Sequence, residues 1–184
     1  DRNILPNQTA LQDLMKRHAE KYSIGVHPSW QSGDKPMLIN KEKETIEKIT
    51  QIKVISSRQH YIRFTLPQTF RNLIDAGITE DFSMGYGSIN GFRASVASPF
   101  YWYDLEKEQS TQLLLYPFCY MEANSYFEQK ITPAQALEEM RHYYTVVKAV
   151  NGTLITIWHN TFLGTDEKFE GWREVYKKFL EEIY

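Results

Sequence analysis

Residues 54–60 read Val-Ile-Ser-Ser-Arg-Gln-His, and the pattern within them sets the fold that we expect. A short apolar pair is followed at once by polar side chains of the types that catalyse reactions or bind metal ions. In α/β folds built from parallel strands, such side chains gather at the carboxyl ends of the strands, where the loops surround one shared mouth. The stretch therefore predicts a buried strand whose end, with Arg58 and His60, faces an active site.

The same pattern, an apolar run that leads into polar residues, occurs at four other places. They are residues 24–26 before His27, Ile78 before Asp81, residues 113–115 before Tyr116, and residues 154–158 before His159 and Asn160. Helical patterns separate most of these runs. Alternation of strands with helices predicts βαβ architecture and a largely parallel sheet. We therefore expect an α/β fold in which one face collects the polar side chains from all five runs.

Helices and strands are expected at definite positions along the chain. Apolar residues at helical spacing predict helices over residues 10–21, 38–52, 67–76, 133–150 and 167–184. Strands are expected over residues 22–26, 54–57, 78–83, 112–121 and 153–158. A long stretch with several glycines follows residue 83, and such a stretch is typical of a functional loop. Its aromatic end, residues 100–104, favours carbohydrate only weakly, because aromatic rings also fill cores.

Length and composition limit the kinds of protein this can be. A chain of 184 residues favours one domain, and 42% hydrophobic with 24% charged residues is typical of a globular protein. The net charge of −2 gives no reason to expect nucleic acid as a partner. No apolar run approaches the roughly 18 residues that cross a bilayer. Cytoplasmic and cell-envelope locations both stay open, as does the oligomeric state.

The start of the chain affects the expected architecture. The sequence begins at Asp1 and enters a helical pattern with no strand before it. A complete (β/α) barrel takes about 250 residues. We therefore expect an incomplete or distorted (β/α) barrel of mostly parallel strands that lacks its first strand or strands. Residues 1–184 are then expected to form a single domain, the C-terminal part of a longer protein.

Two histidines and one arginine are candidates near the first two strands. His27 directly follows a strand and precedes a proline, which suits a metal ligand or a catalytic base as well as a structural hydrogen bond. Arg58 could orient a carboxylate through paired N–H donors, and His60 could bind a metal ion or carry a proton. The alternative for both is a surface salt bridge beside a histidine that faces solvent.

An aspartate and a third histidine are candidates at the later strand ends. Asp81 could hold an imidazole in one tautomer, although an aspartate at a strand end is also a common turn cap. His159 has apolar residues on one side and a loop on the other, which suits a general acid. The alternative for His159 is a core histidine bonded to the backbone.

Several strings of the sequence resemble one family. Residues 24–29, 57–64, 81–86, 91–94, 99–100, 103–105 and 158–160 look like the polysaccharide deacetylases of the NodB-like superfamily. They look most like its large-protein branch in Bacteroidetes. The resemblance implies a distorted (β/α) barrel that removes acetyl groups from N-acetylated sugars with a divalent metal ion such as Zn²⁺. The strings that begin at Ser57 and Asp81 are the most specific.

The resemblance also implies roles for individual residues. By position, His27 matches the first histidine ligand of the metal ion and Arg58 the orienting arginine. Asp81 matches the aspartate that tunes the general acid, and His159 matches the general acid itself. The second histidine ligand would fall at Gln31, so His60 is expected to replace it. The Asp-Asp pair of the family's first strand has no counterpart in the 184 residues.

Three functions follow from these observations. The first is a metal-dependent hydrolase that removes acetyl groups from N-acetylated or O-acetylated carbohydrate, inactive as this chain alone. The second is a non-catalytic carbohydrate-binding or assembly module on a degenerate deacetylase barrel. The third is a structural α/β domain with an empty mouth. The incomplete metal-binding set favours the second function, whereas the histidines at strand ends favour the first.

Overall fold

The computed structural model describes residues 4–183, which form two compact units. Unit 1 holds the described residues up to Ser83 together with residues 100–115. Unit 2 holds residues 84–99 and the described residues from Tyr116 onward. That residues 1–184 form one domain remains a prediction.

Helices and strands alternate through most of the described chain. The α-helices are α1 Thr9–Ala19, α2 Met37–Thr50, α3 Gln68–Asp75, α4 Pro133–Ala149 and α5 Trp172–Ile183. The strands are β1 Ser56–Ser57, β2 Glu80–Asp81, β3 Phe100–Asp104, β4 Gln109–Leu115, β5 Tyr120–Met121 and β6 Thr156–Ile157. Short 3₁₀ turns cover Trp30–Gly33, His60–Ile62 and Glu167–Phe169, and a π-helical turn covers Asn124–Glu128. Within residues 4–183, none of the helices is long and apolar enough to cross a membrane.

Unit 1 is built on a four-stranded sheet in the order β1-β2-β4-β3. The first three of these strands are parallel, and β3 joins the edge of β4 in antiparallel orientation. The register places Ser57 beside Asp81 and Asp81 beside Leu115. These three neighbouring residues are all buried. Phe70 of α3 packs edge to face on Trp102 of β3, with ring centroids 5.4 Å apart.

Unit 2 contains the parallel pair β5-β6, in which Tyr120 lies beside Thr156 and Met121 beside Ile157. Apolar side chains from α4 and α5 pack around Tyr120 and form a buried cluster. Its members on the two helices are Leu137, Met140, Val175 and Phe179. The pairing of β5 with β6 fixes the positions of the residues that follow each strand.

The predicted α/β class is confirmed, and most strand pairs are parallel as expected. Three of the four pairs between named strands are parallel, and only β3-β4 is antiparallel. The strands of the described residues do not close into a barrel, and the barrel therefore remains a matter of resemblance.

Several expected boundaries were wrong for local physical reasons. The strand expected over residues 22–26 is a single parallel bridge between Val26 and Ser57. The strand expected over residues 112–121 is interrupted after Leu115, because Pro117 has no N–H to donate to a sheet. Residues 100–104, expected on or near a loop, are an edge strand.

The last helix begins later than its apolar pattern suggests. Gly171 has φ +84°, a left-handed conformation that separates the turn Glu167–Phe169 from α5. The apolar pattern of this helix predicts a buried stripe of Trp172, Val175, Tyr176 and Phe179; the structure buries Trp172, Val175 and Phe179, whereas Tyr176 is only partly buried. Tyr184, the expected end of this helix, lies outside the described residues.

Candidate functional site

Asp81 is a completely buried carboxylate at the end of β2. Its Oδ2 accepts hydrogen bonds from the hydroxyls of Ser57 at 2.7 Å and Ser83 at 3.0 Å, and its Oδ1 accepts one from the Ser83 backbone N–H at 2.8 Å. Burial raises the pKa of Asp81, while these hydrogen bonds and the charge of Arg58 act in the opposite direction. The carboxylate therefore ties the end of β2 to the end of β1.

Arg58 lies directly after β1 and is partly buried. Its Nε donates to the backbone carbonyl of Phe82 at 3.2 Å, beyond the end of β2. Removal from water lowers the pKa of the Arg58 guanidinium, and the nearby charge of Asp81 partly opposes that effect. Arg58 and Asp81 thus interact electrostatically at the ends of β1 and β2.

His27 and His60 stack on one another in unit 1. Their ring centroids are 4.6 Å apart and their planes meet at 29°. The Nδ1 of His27 lies 2.7 Å from the backbone carbonyl oxygen of Arg58. A carbonyl can only accept, so the Nδ1 of His27 donates and its Nε2 carries the lone pair when the ring is neutral. Histidines that bind metal ions are commonly oriented through such a hydrogen bond to a carbonyl.

The turn that carries His60 has an unusual backbone. Tyr61 and Ile62 both have φ +54°, and a β-branched residue such as Ile62 rarely adopts this left-handed conformation. Contacts on both sides hold the turn: the Gln59 N–H donates to the Ser83 hydroxyl at 2.8 Å, and Arg63 forms a two-pronged ion pair with Asp34. Backbone strain of this kind persists where surrounding contacts fix a functional segment.

The histidine pair can be tested against the metal site that the resemblance implies. Two imidazoles on one ion must point their nitrogen lone pairs, which lie in the ring planes, at the same point, and the ring stacking seen here does not show such convergence. Catalytic zinc sites use three protein ligands. Among residues 4–183, no group of three or more His, Cys, Asp or Glu side chains is placed to hold a metal ion. The described residues therefore supply an incomplete ligand set.

Unit 2 pairs His159 with a carboxylate that sequence reasoning did not single out. Glu122 follows β5 and is completely buried. Its Oε1 accepts hydrogen bonds from the His159 backbone N–H at 2.5 Å and from the His159 ring Nδ1 at 2.6 Å. The His159 side chain is 47% exposed, so one edge of the ring is anchored while much of the side chain reaches solvent.

This arrangement suits proton transfer. A buried carboxylate that accepts from Nδ1 holds the imidazole in one tautomer and stabilises the imidazolium form, as the aspartate does in a Ser-His-Asp triad. The Nε2 of His159 is then the ring nitrogen that can exchange protons. The second oxygen of Glu122 has no hydrogen-bond partner within the described part of the chain. The two hydrogen bonds that Glu122 accepts therefore both come from His159.

A local signal for Glu122 exists in the sequence. The apolar residues Phe118-Cys119-Tyr120-Met121 lead into Glu122 in the same way that the other runs lead into polar residues. This sixth strand end was missed because residues 112–121 were expected to form one continuous strand, without the break at Pro117.

The five expected site residues divide between the two units. His27, Arg58, His60 and Asp81 lie in unit 1, where His27 stacks on His60 and also contacts the backbone of Arg58. His159 lies in unit 2 with Glu122. The convergence of all the expected residues on one face, and the individual roles expected for them, remain predictions.

Comparison with known proteins yields a structural likeness. No protein-family model and no curated protein sequence matches the chain. A crystal structure from Mycobacterium smegmatis, provisionally assigned as a polysaccharide deacetylase, is similar with a TM-score of 0.63 and 15% sequence identity. The match covers 94% of this chain and 60% of that one. The chain thus has a deacetylase-like fold and spans 60% of the length of its structural relative.

Proposed function

We propose that this chain is a polysaccharide deacetylase-like hydrolase that removes acetyl groups from N-acetylated or O-acetylated carbohydrate. The observation that carries the proposal is the imidazole of His159 on the completely buried Glu122. That pair belongs to a chain whose fold resembles a structure assigned to the same activity. A second polar group at the strand ends, Arg58 with Asp81, supports a site built on the sheet of unit 1.

In the proposed reaction, a water molecule attacks the carbonyl carbon of the acetyl group, loses one proton to bulk solvent and gives an anionic tetrahedral intermediate. The bond between that carbon and the sugar nitrogen or oxygen then breaks, and acetic acid leaves and ionises to acetate. The departing nitrogen needs a proton, because an amide anion is a very poor leaving group. His159 supplies this proton from Nε2, and the negative charge of Glu122 stabilises the imidazolium from which it comes.

The metal ion implied by the resemblance is not accommodated by the described residues alone. His27 and His60 would contribute at most two ligands, one fewer than catalytic zinc sites use. We therefore assign no step to a metal ion. Without a complete ligand set or a carboxylate beside it to accept a proton from water, we expect the isolated 184-residue chain to be inactive.

A second function is favoured by the same incomplete ligand set. A non-catalytic carbohydrate-binding or assembly module would keep the fold and the exposed rings while losing the metal centre. Stacked imidazoles and half-exposed aromatic side chains can contact sugars without any chemical step. This alternative predicts binding of acetylated sugar with no release of acetate.

The two functions are separated by measuring acetate release and sugar binding on the same samples. N-acetylglucosamine oligomers are incubated with the 184-residue chain and with any form of the protein whose metal-ligand set is complete, each with and without Zn²⁺ or Co²⁺. We expect acetate from the form with the complete ligand set and none from the 184-residue chain. Oligomer binding without acetate release by that form would contradict the hydrolase and favour the module.

A further inference from the structure

The side-chain ammonium of Lys168 in unit 2 lies near three aromatic rings. Its Nζ is 5.2 Å from the ring centroid of Phe127, 5.3 Å from that of Phe169 and 5.9 Å from that of Tyr126. Cations within about 6 Å of a ring face are attracted by its quadrupole. Three rings around one ammonium form an aromatic cage, the arrangement with which proteins recognise ammonium ligands.

The cage is held in place by packing that does not depend on Lys168. Tyr126 meets Phe169 at a centroid distance of 5.2 Å and Trp172 at 5.8 Å. Phe169 packs at 4.1 Å on Phe162, which is buried. The rings therefore stay in position if the ammonium leaves.

The side chain of Lys168 can leave the cage, whereas the backbone of Lys168 is held by hydrogen bonds. The Lys168 side chain is exposed, and Phe127 is 47% exposed, so the cage opens to solvent. The Lys168 carbonyl accepts from the hydroxyl of Tyr126 at 3.3 Å, and its N–H donates to Asp166 at 3.0 Å. A flexible side chain on a fixed backbone can leave the cage without unfolding the turn that carries it.

We propose that Tyr126, Phe127 and Phe169 form a binding site for the ammonium group of an amino sugar, and that Lys168 occupies this site in the absence of ligand. The identity of the ligand depends on the proposed function, because loss of an acetyl group converts a neutral amide into an amine that is protonated near neutral pH. The cage then favours carbohydrate that already carries some free amines.

The position of the cage supports this ligand. Phe162 contacts both the cage and the candidate acid: its ring centroid is 4.1 Å from that of Phe169 and 6.5 Å from that of His159. One ring therefore separates the ammonium site from the proposed general acid. A polymer that binds at His159 through an acetylated sugar could place the free amine of a nearby sugar in the cage.

The first test uses tetramethylammonium chloride as the probe, with sodium chloride at equal concentration as the reference. Binding to the protein is followed by saturation transfer from aromatic protons to the probe's methyl groups. Lys168→Met removes the internal competitor, and we expect about three- to tenfold tighter binding. Phe127→Leu added to that variant removes one ring and should return the affinity to the wild-type level or below. Lys177→Met, at an exposed lysine paired with Glu174, is the matched control and should bind as the wild type does.

The second test compares glucosamine trimer with N-acetylglucosamine trimer. Lys168→Met should tighten binding of the glucosamine trimer by a similar factor and leave the acetylated trimer unchanged. Equal affinity of Lys168→Met and Lys177→Met for tetramethylammonium would overturn the cage, and equal tightening for both trimers would overturn the amino-sugar ligand. Failure to release acetate would count against the proposed hydrolase alone, since ammonium binding is measured without turnover.

Discussion

Glu122 determines which nitrogen of His159 is available for chemistry. Its carboxylate accepts from Nδ1 at 2.6 Å and from the backbone N–H of the same residue at 2.5 Å. Two hydrogen bonds to one oxygen fix both the position of the ring and its tautomer. A half-exposed histidine would otherwise sample several orientations. The single carboxylate therefore leaves Nε2 as the ring nitrogen of His159 that can exchange protons.

This arrangement predicts the tautomer of His159. In the neutral ring the proton should reside on Nδ1, and Glu122→Leu should shift the population toward the Nε2–H form. Long-range ¹H–¹⁵N correlation spectra distinguish the two forms, with the exposed His142 as an internal reference. A wild-type His159 with its proton on Nε2 would show that Glu122 does not direct the ring.

A second pair of residues makes stability depend on pH. Arg71 donates two hydrogen bonds, of 2.7 and 2.8 Å, to Asp104, whose side chain is only 1% exposed. These hydrogen bonds hold the pKa of Asp104 below its usual value. The contribution of the pair is complete above the unfolded pKa of about 3.9 and is lost as pH falls through the lower folded pKa.

Asp104→Asn tests directly whether the contribution of this pair to stability is lost as pH falls. The variant should be less stable than the wild type at pH 7, and the difference in free energy of unfolding should shrink below about pH 4. Urea denaturation at several pH values measures it. Asp13→Asn, at an exposed aspartate of α1, is the matched control and should show little difference at either pH. A difference that grows on acidification would contradict the assignment.

At the scale of elements, the start of α4 is clearly marked in the sequence. Thr132 accepts from the N–H of Gln135, and the Gln135 side chain accepts from the N–H of Thr132, which together form a capping box with Pro133 at the first position.

Thr132→Ala should destabilise the protein by about 1 kcal/mol. Chemical denaturation measures this, with the exposed Thr145→Ala within the same helix as the control. Equal losses for the two variants would contradict the capping role.

Local patterns predicted the elements whose signals lie within a few neighbouring residues. Pro133 and Gly77, which has φ +75°, mark a helix start and a helix end that the structure confirms. The hairpin of β3 and β4 was missed, because its turn lacks glycine: Glu108 takes the left-handed conformation with φ +50°. A residue other than glycine in the left-handed conformation gives no local sequence signal that a turn is present.

The pairing of Glu122 with His159 could not be predicted in the same way. Strand β5 lies beside β6 with Met121 opposite Ile157, so the register brings Glu122 close to the residues after β6. These partners are 37 positions apart in the chain. Periodicity reports which side of an element is buried, but it does not report which strands are neighbours. His159 was therefore a candidate from the sequence, whereas its partner required the fold.

At the scale of the whole molecule, the candidate site residues divide between the two units. Unit 1 holds the stacked histidines together with Arg58 and Asp81, and unit 2 holds His159 on Glu122. The similarity to a known fold extends over 94% of the chain at only 15% identity. The fold is thus retained where most side chains differ. The function has to be established from the residues of this chain.

The central claim is that His159 protonates the leaving group, and the most direct test compares two leaving groups. In a form of the protein whose metal-ligand set is complete, His159→Ala should slow acetate release from N-acetylglucosamine oligomers by about 10²–10⁴-fold, because the departing amine needs a proton. The same variant should hydrolyse 4-nitrophenyl acetate at close to the wild-type rate, since nitrophenolate leaves without one. Equal losses on both substrates, or no loss on the oligomers, would contradict the role of His159 as general acid.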